Sequence, residues 1–336
     1  MTRSNGEVAG AVARSGSTPD DIRLALRAAT MYYLDGLTQA EIASRLGVSR
    51  PTAGRLVARA KAKGLVRIEV AVPPEMTEDL HAEEERELER RFGLTEAVVA
   101  GHGVEIGAPG RPASYASVGR AAAALLMRRL SPDDVLGFTW GPEQVAVASA
   151  LTPGVASCRA VVQLDGAMST AAYQTGTEFI LTRAGDTLRA TTLRLPAPLY
   201  ADPSTVASMR NDSVISRTLE AGRHADLMLF GVGAVSTSTT LFEGSFLDTR
   251  MLDELVSLGA VGEIGGRFFD AHGAPVVTEL QQRAVSVPLE DIRNCDKTLL
   301  ISSGATKYHA TLGALRGKLA KLLVCDIDCA HWLLSQ

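Results

Sequence analysis

The chain has 336 residues, is 46% hydrophobic and 21% charged, and carries a formal net charge of −4. This composition excludes a disordered chain and leaves ample apolar material for a large core. Four cysteines are too few for a disulfide scaffold and suit a reducing compartment. No apolar run is long enough to span a bilayer, and MTRSNGEVAGAVARSGSTPD lacks a secretory hydrophobic region. We therefore expect a cytoplasmic protein with no membrane partner, opening on a flexible tail at 1–20.

The first expected element is a helix from Asp21 to about Leu34, apolar nearly all round at Ile22, Leu24, Leu26, Met31, Tyr33 and Leu34. Such a helix packs against partners or carries part of a dimer contact. TQAEIASRLGVSRPTAGRLVAR (38–59) follows. Its spacing predicts a short helix over Thr38–Leu46, a tight turn at Gly47-Val48, and a second helix behind Ser49. Ala43 is small enough for helices to cross closely, and Gly47 suits a left-handed backbone. Ile42, Leu46, Val48 and Leu56 are spaced to share a small core. This is the pattern of a helix-turn-helix, whose second helix enters the DNA major groove. An ordinary surface helical hairpin is the bland alternative.

The chemistry of the second helix favours DNA. Ser49 is a good N-cap and Pro51 fits the first turn. Arg50, Thr52 and Arg55 project from the N-terminal half, where arginine can pair with guanine through two hydrogen bonds. Arg59, Lys61 and Lys63 are better placed for phosphates, which position without specifying. The expected DNA-contacting set is Thr38, Gln39, Ser49, Arg50, Thr52, Arg55, Arg59 and Lys61. Residues 21–70 hold nine Lys/Arg against four Asp/Glu, whereas residues 71–336 hold 23 against 32. The positive part is drawn to the phosphate backbone; the acidic remainder is not.

KGLVRIEVAV (63–72) alternates Val66, Ile68 and Val70 with Arg67 and Glu69, which reads as a short strand and a wing beside the DNA. Pro73-Pro74 breaks structure, so the helix-turn-helix domain is placed at 21–72. TEDLHAEEERELERRF (77–92) reads as a charged helix capped by Thr77. His81 and its glutamates raise a metal site, but ion pairs three and four apart favour a solvated linker over 73–93.

From Leu94 to the end, apolar strand-like runs alternate with helical stretches. The strands are 97–100, 134–139, 160–164, 225–233, 297–304 and 322–326; helices include Ser117–Leu130, Gln144–Leu151 and Ala305–Arg316. Strands apolar on both faces imply a mostly parallel, Rossmann-like sheet covered by helices. Ligands bind such sheets beyond the carboxyl ends of the strands. Those ends are marked here by Gly137-Phe138-Thr139-Trp140-Gly141, Asp165-Gly166-Ala167, Gly231-Val232-Gly233 and Ser302-Ser303-Gly304. Gly231-x-Gly233 is weak evidence for a dinucleotide, because the third glycine is missing. Glycine-rich ends can also be mere turns.

Taken together, the helix-turn-helix, GFTWG, VVQLDGA, LFGVGAV, AVGEIGGRFFDAHGAPV and ALRGKLAKLLVCD, in that order, resemble the SorC family of bacterial sugar-binding transcription regulators. The resemblance covers about 21–334. It implies a large domain at 94–336 that is similar in fold to phosphosugar isomerases but serves as sensor and oligomerisation domain. It also implies a homo-oligomer, usually a tetramer, that binds double-stranded operator DNA under control of a small carbohydrate effector, with no cofactor. By resemblance, Gly137, Thr139, Trp140, Gly141 and Glu143 lie in the first effector loop, Asp165 and Gly166 in the second, Gly231 and Gly233 in the third. Phe269 and Asp270 would border the sugar, and Gly304 and Lys307 would face an anionic or hydroxyl group. Many relatives carry a hydroxyl residue where this chain has Pro142-Glu143, and a basic or amide residue where it has Asp165. Two carboxylates disfavour a phosphate, so a free sugar or polyol is the expected effector, unless either carboxylate points out of the pocket.

Cys325 and Cys329 with His331 raise a metal site but read better as small apolar thiols, so no metal is expected. His272 reads as a bend, and His309 as a neighbour of Lys307. Trp140 reads equally as a sugar platform or a core residue. Competing functions are a phosphosugar isomerase-like enzyme, using Asp165 and Glu143 as acid and base, and a ligand-independent architectural DNA-binding protein.

Overall fold

The computed structural model describes residues 19–68, 80–101, 115–168, 176–237, 240–243 and 247–336. The chain divides into two compact units, Met1–Ala71 and Val72–Gln336.

Among the described residues the first unit holds three helices: α1 (Pro19–Tyr33), α2 (Gln39–Leu46) and α3 (Arg50–Ala62). Ala25, Ala28, Ala29, Ile42, Ala43, Ala53, Leu56, Val57 and Ala60 form their shared core. Six of these nine are alanines, so the helices approach closely. The buried face of α1 is Ala25-Ala28-Ala29, while Ile22, Leu26, Tyr33 and Leu34 are exposed. Thr38 caps α2 in a reciprocal box with Glu41, and Gly47 ends it in the left-handed region at φ 66°. Ser49 caps α3, with Pro51 in its first turn. Residues 65–68 have no strand pairing, and 69–72 lie outside the described residues, so the expected wing is not seen. The Pro73-Pro74 break and Thr77 also lie outside them.

In the second unit, α4 (Ala82–Phe92) is no free linker. Leu88 and Phe92 are buried in the main core. Glu89 accepts a hydrogen bond from the Ala97 N–H and Glu85 one from the Val99 N–H, both at 3.0 Å. Those donors belong to β1 (Glu96–Ala100), an edge strand. Part of the acidic run that looked solvated in sequence therefore satisfies a sheet edge.

The remaining elements in order are α5 (Ala116–Arg129), β2 (Val135–Phe138), α6 (Pro142–Ala150), β3 (Ala160–Gln163), α7 (Thr177–Leu188), β4 (Thr191–Leu193), α8 (Pro203–Asn211), α9 (Ser213–Arg223), β5 (Leu227–Gly231), β6 (Gly233–Ala234), α10 (Thr240–Glu243), α11 (Thr249–Ser257), β7 (Ala260–Ile264), β8 (Arg267–Asp270), α12 (Glu279–Arg283), α13 (Leu289–Asn294), β9 (Lys297–Ser302), a 3-10 turn (Ala305–Lys307), α14 (Tyr308–Arg316), β10 (Leu322–Asp326) and α15 (Ile327–Ser335). Seven strands form one sheet in the order β1-β10-β9-β5-β2-β3-β4, every pair parallel. Successive residues serve opposite faces. Met228, Phe230, Leu300 and Leu323 pack under α4, α13, α14 and α15. Leu227, Leu229, Leu299 and Leu322 pack under α5, α6 and α7. The expected parallel sheet is present; β4 was missed because TTL is a short, exposed edge.

A second sheet, β6-β7-β8, is antiparallel. Gly265 and Gly266, both at positive φ, turn β7 into β8. This sheet brings residues 263–265 up to the carboxyl ends of the large sheet.

Candidate functional site

The large sheet reverses its winding between β2 and β5, and the crevice there is the expected place for a ligand. A cavity of about 230 Å³ lies at this point, lined among the described residues by the segments after β2, β3 and β5, by Thr306 and Lys307 after β9, and by Glu263 and Gly265 of the small sheet. Thr139, Trp140, Gly141, Glu143, Asp165, Gly231, Gly233 and Lys307 are all in the lining.

Five expected residues are not. Phe269 is fully buried in the core. Asp270 turns to the other end of its strand, where Oδ1 accepts from the His272 and Ala274 N–H groups and closes the DAHG bend. Gly137 is a packing position, since a Cβ there would lie 2.6 Å from Leu164. At Gly166 a Cβ would lie 2.3 Å from the Pro198 carbonyl oxygen. The Gly304 N–H donates to buried Asp326 at 3.0 Å. His272 and His309 are also outside the lining; the His309 ring packs on Trp332.

The charge pattern is acidic. Lys307 is the single cationic side chain among the described lining residues, and it is ion-paired with Glu143. Burial alone would lower the Lys307 pKa, but the Glu143 charge and hydrogen bond outweigh it and hold it above the ordinary value. Asp165 is buried, and burial followed by the charge of Glu263 raises its carboxyl well above the usual aspartate value. It accepts the Trp140 backbone N–H at 3.3 Å. Glu263 is likewise raised by burial, against the opposing effects of the Gly266 N–H, at 2.7 Å, and of Lys307. Its carboxylate lies against Gly233, where a Cβ would come within 2.1 Å of Oε1. The Trp140 indole donates to the Gly166 carbonyl at 2.9 Å, which fixes the ring in the cavity wall.

Sequence reasoning missed Gln144 and Glu263. Gln144 sits in the first turn of α6 and is 1% exposed. Neither its Oε1 nor its Nε2 has a hydrogen-bond partner among the described residues. Such a group costs about 1–3 kcal/mol until something pairs with it. Gly141, at φ 154°, leaves room for it: a Cβ there would lie 2.5 Å from Gln144 Oε1. The legible signal for Glu263 was the Gly265-Gly266 pair between two apolar runs, a hairpin mark that places Glu263 near its tip.

In the first unit, Arg50, Thr52 and Arg55 stand exposed or half-exposed on the N-terminal half of α3. Arg55 Nη2 donates to Thr52 Oγ1 at 3.1 Å, and Thr52 Oγ1 lies 2.8 Å from the Ser49 hydroxyl. The Thr38 and Ser49 hydroxyls are engaged as helix caps. Gln39 lies beside Gly54 of α3. Arg59 is 3.9 Å from Asp21. The four cysteines are buried and unbridged, and no group of metal-ligating side chains occurs among the described residues. No described helix is long and apolar enough to cross a membrane.

A capped helix-turn-helix followed by an α/β unit with a polar pocket at its switch point defines a ligand-responsive transcription regulator. Comparison with known proteins agrees. The family described as "Putative sugar-binding domain" matches residues 76–335, and the MarR family matches 29–73. The deoxyribonucleoside regulator of Bacillus subtilis (strain 168) is 32% identical, across 93% of this chain and 97% of its own. The sorbitol operon regulator of Klebsiella pneumoniae is 28% identical, across 94% and 99%. The crystal structure of that full-length regulator, SorC, superposes with a TM-score of 0.67. The chain belongs to the SorC family of sugar-binding transcriptional regulators.

Proposed function

We propose that the cavity beyond β2, β3, β5 and β9 binds an uncharged sugar or polyol and that its occupancy controls how α3 engages operator DNA. The observation that carries this reading is the unpartnered amide of Gln144 in a cavity whose lysine is already neutralised by Glu143. An amide is both donor and acceptor, as a hydroxyl is. Glu143, Asp165 and Glu263 offer further acceptors, or donors where they hold a proton. A phosphate entering here would meet carboxylates and would need to displace Glu143 from Lys307. The names of the two relatives, a sorbitol operon and deoxyribonucleosides, point to hydroxyl-rich compounds for those proteins.

The cavity serves as a sensor and not as a catalyst; both relatives are named as regulators. The working form is a cytoplasmic homo-oligomer, a tetramer. Its subunit arrangements differ in effector affinity, which is what lets a ligand shift DNA binding. Residues 21–72 read the operator, and the remainder senses and assembles.

Thermal-shift screening of the full-length protein tests the effector class. Free sugars or polyols should raise the melting temperature, and their phosphate esters should raise it no further than inorganic phosphate does. Glu143→Thr releases Lys307 and should admit phosphate esters. Stabilisation of the unaltered protein by phosphosugars alone would overturn the reading.

A further inference from the structure

A second cavity, of about 360 Å³, lies apart from the first, against α8, α9 and the segment 286–288. Three arginines line it: Arg210 from α8, Arg223 from α9 and Arg267 at the start of β8. The one carboxylate in its lining among the described residues is Glu220, which lies 3.6 Å from Arg223. Arg223 is further held by Asp291 at 2.8 Å. The other two arginines have no carboxylate within ion-pair distance among the described residues. Arg210 is exposed. It also lines an adjoining cleft of about 550 Å³ together with Arg267.

Arg267 is the unusual member. It is 7% exposed, and its Nε and Nη2 donate to the carbonyls of Val287 and Ser286 at 3.1 and 2.6 Å. These bonds fix the guanidinium and leave Nη1 without a partner among the described residues. Burial, and then the nearby charge of Arg210, lower its pKa to about 10. A buried cation facing a second cation is costly unless an anion joins them. Beside it, the hydroxyl of Ser286, itself only 6% exposed, has no hydrogen-bond partner among the described residues. A fixed guanidinium, a second, exposed guanidinium in the same lining and an idle hydroxyl make a donor set for a tetrahedral oxyanion.

We infer that Arg210, Arg267 and Ser286 form a second ligand site, separate from the sugar cavity, that takes a phosphate group. The β7–β8 hairpin carries Glu263 to the first cavity and Arg267 to the second, so both sites act on one structural element.

Isothermal titration of the full-length protein with inorganic phosphate, at constant chloride ionic strength, tests the site. Saturable binding is expected. It should weaken about tenfold or more in Arg210→Gln, as loss of a charge-assisted bond requires, and also weaken in Ser286→Ala. Lys307→Gln, in the first cavity, should bind phosphate like the unaltered protein. Tighter binding of glycerol phosphate than of phosphate assigns the site to a phosphomonoester; equal binding assigns it to free phosphate. Equal affinity in Arg210→Gln, loss confined to Lys307→Gln, or no saturation at millimolar phosphate would overturn the inference. So would a change of oligomer mass in Arg210→Gln with phosphate affinity intact, since the arginines would then serve an interface.

Discussion

At the scale of single residues, Gln144 offers the sharpest test of the sensor reading. Its amide is buried and has no hydrogen-bond partner among the described residues. Gln144→Leu keeps similar bulk and removes that penalty. The variant should be more stable than the parent by about 1–3 kcal/mol without ligand, yet lose most of its thermal shift with the effector. A destabilised variant with effector binding intact would show that the amide is structural. Asp165 sets a pH dependence. Its folded pKa lies above the unfolded one, so the folded state binds the extra proton. The associated stability is present below pH 3.8 and is lost as pH rises through the elevated folded value. Melting temperatures of the unaltered protein and Asp165→Asn should therefore diverge in favour of the variant as pH is raised. Parallel curves would contradict the assignment.

At the scale of elements, the proposed DNA reader α3 would divide its work between two halves. Arg50 and Arg55 project near its capped start, and Arg55 is steadied by Thr52. Arg50→Ala or Arg55→Ala should each reduce discrimination between operator and random DNA by about 1–3 kcal/mol. Lys61→Ala should weaken both kinds of binding alike and lower the salt slope by about one unit. Arg59 already has Asp21 nearby, so its removal should matter less than that of Lys61. Equal losses on both DNAs for the arginine variants would place the reading face elsewhere. These are competition binding measurements at several salt concentrations.

At the scale of the whole molecule, the proposed function requires a coupling free energy between cavity and reader. A neutral sugar or polyol that fills the cavity should change operator affinity by about 5–150-fold. Linkage requires operator DNA to change sugar affinity by the same factor. Fluorescence anisotropy with labelled operator, and sugar titration with and without operator, measure both sides. Operator affinity indifferent to every ligand that stabilises the protein would mark an architectural DNA-binding protein. Turnover of a bound sugar phosphate would mark an enzyme.

The sequence by itself determined the local structures and the class of molecule. Caps at Thr38 and Ser49, the Gly47 turn and the basic face of α3 are properties of neighbouring residues, and local hydrogen bonding decides them. The parallel sheet was legible because strands buried on both faces must be apolar throughout. The glycine-marked strand ends pointed to the edge where the cavity lies for the same reason. Only the tertiary structure decided which side chains share the cavity. Phe269 and Asp270 left it and Glu263 entered, because a β-strand alternates faces and a hairpin's path across the sheet is not local. The pairing of Glu143 with Lys307, 164 positions apart, and the convergence of Arg210 and Arg267 likewise depend on how distant segments pack. Helix α4 reversed its reading because an edge strand, invisible in the acidic run itself, needed two acceptors.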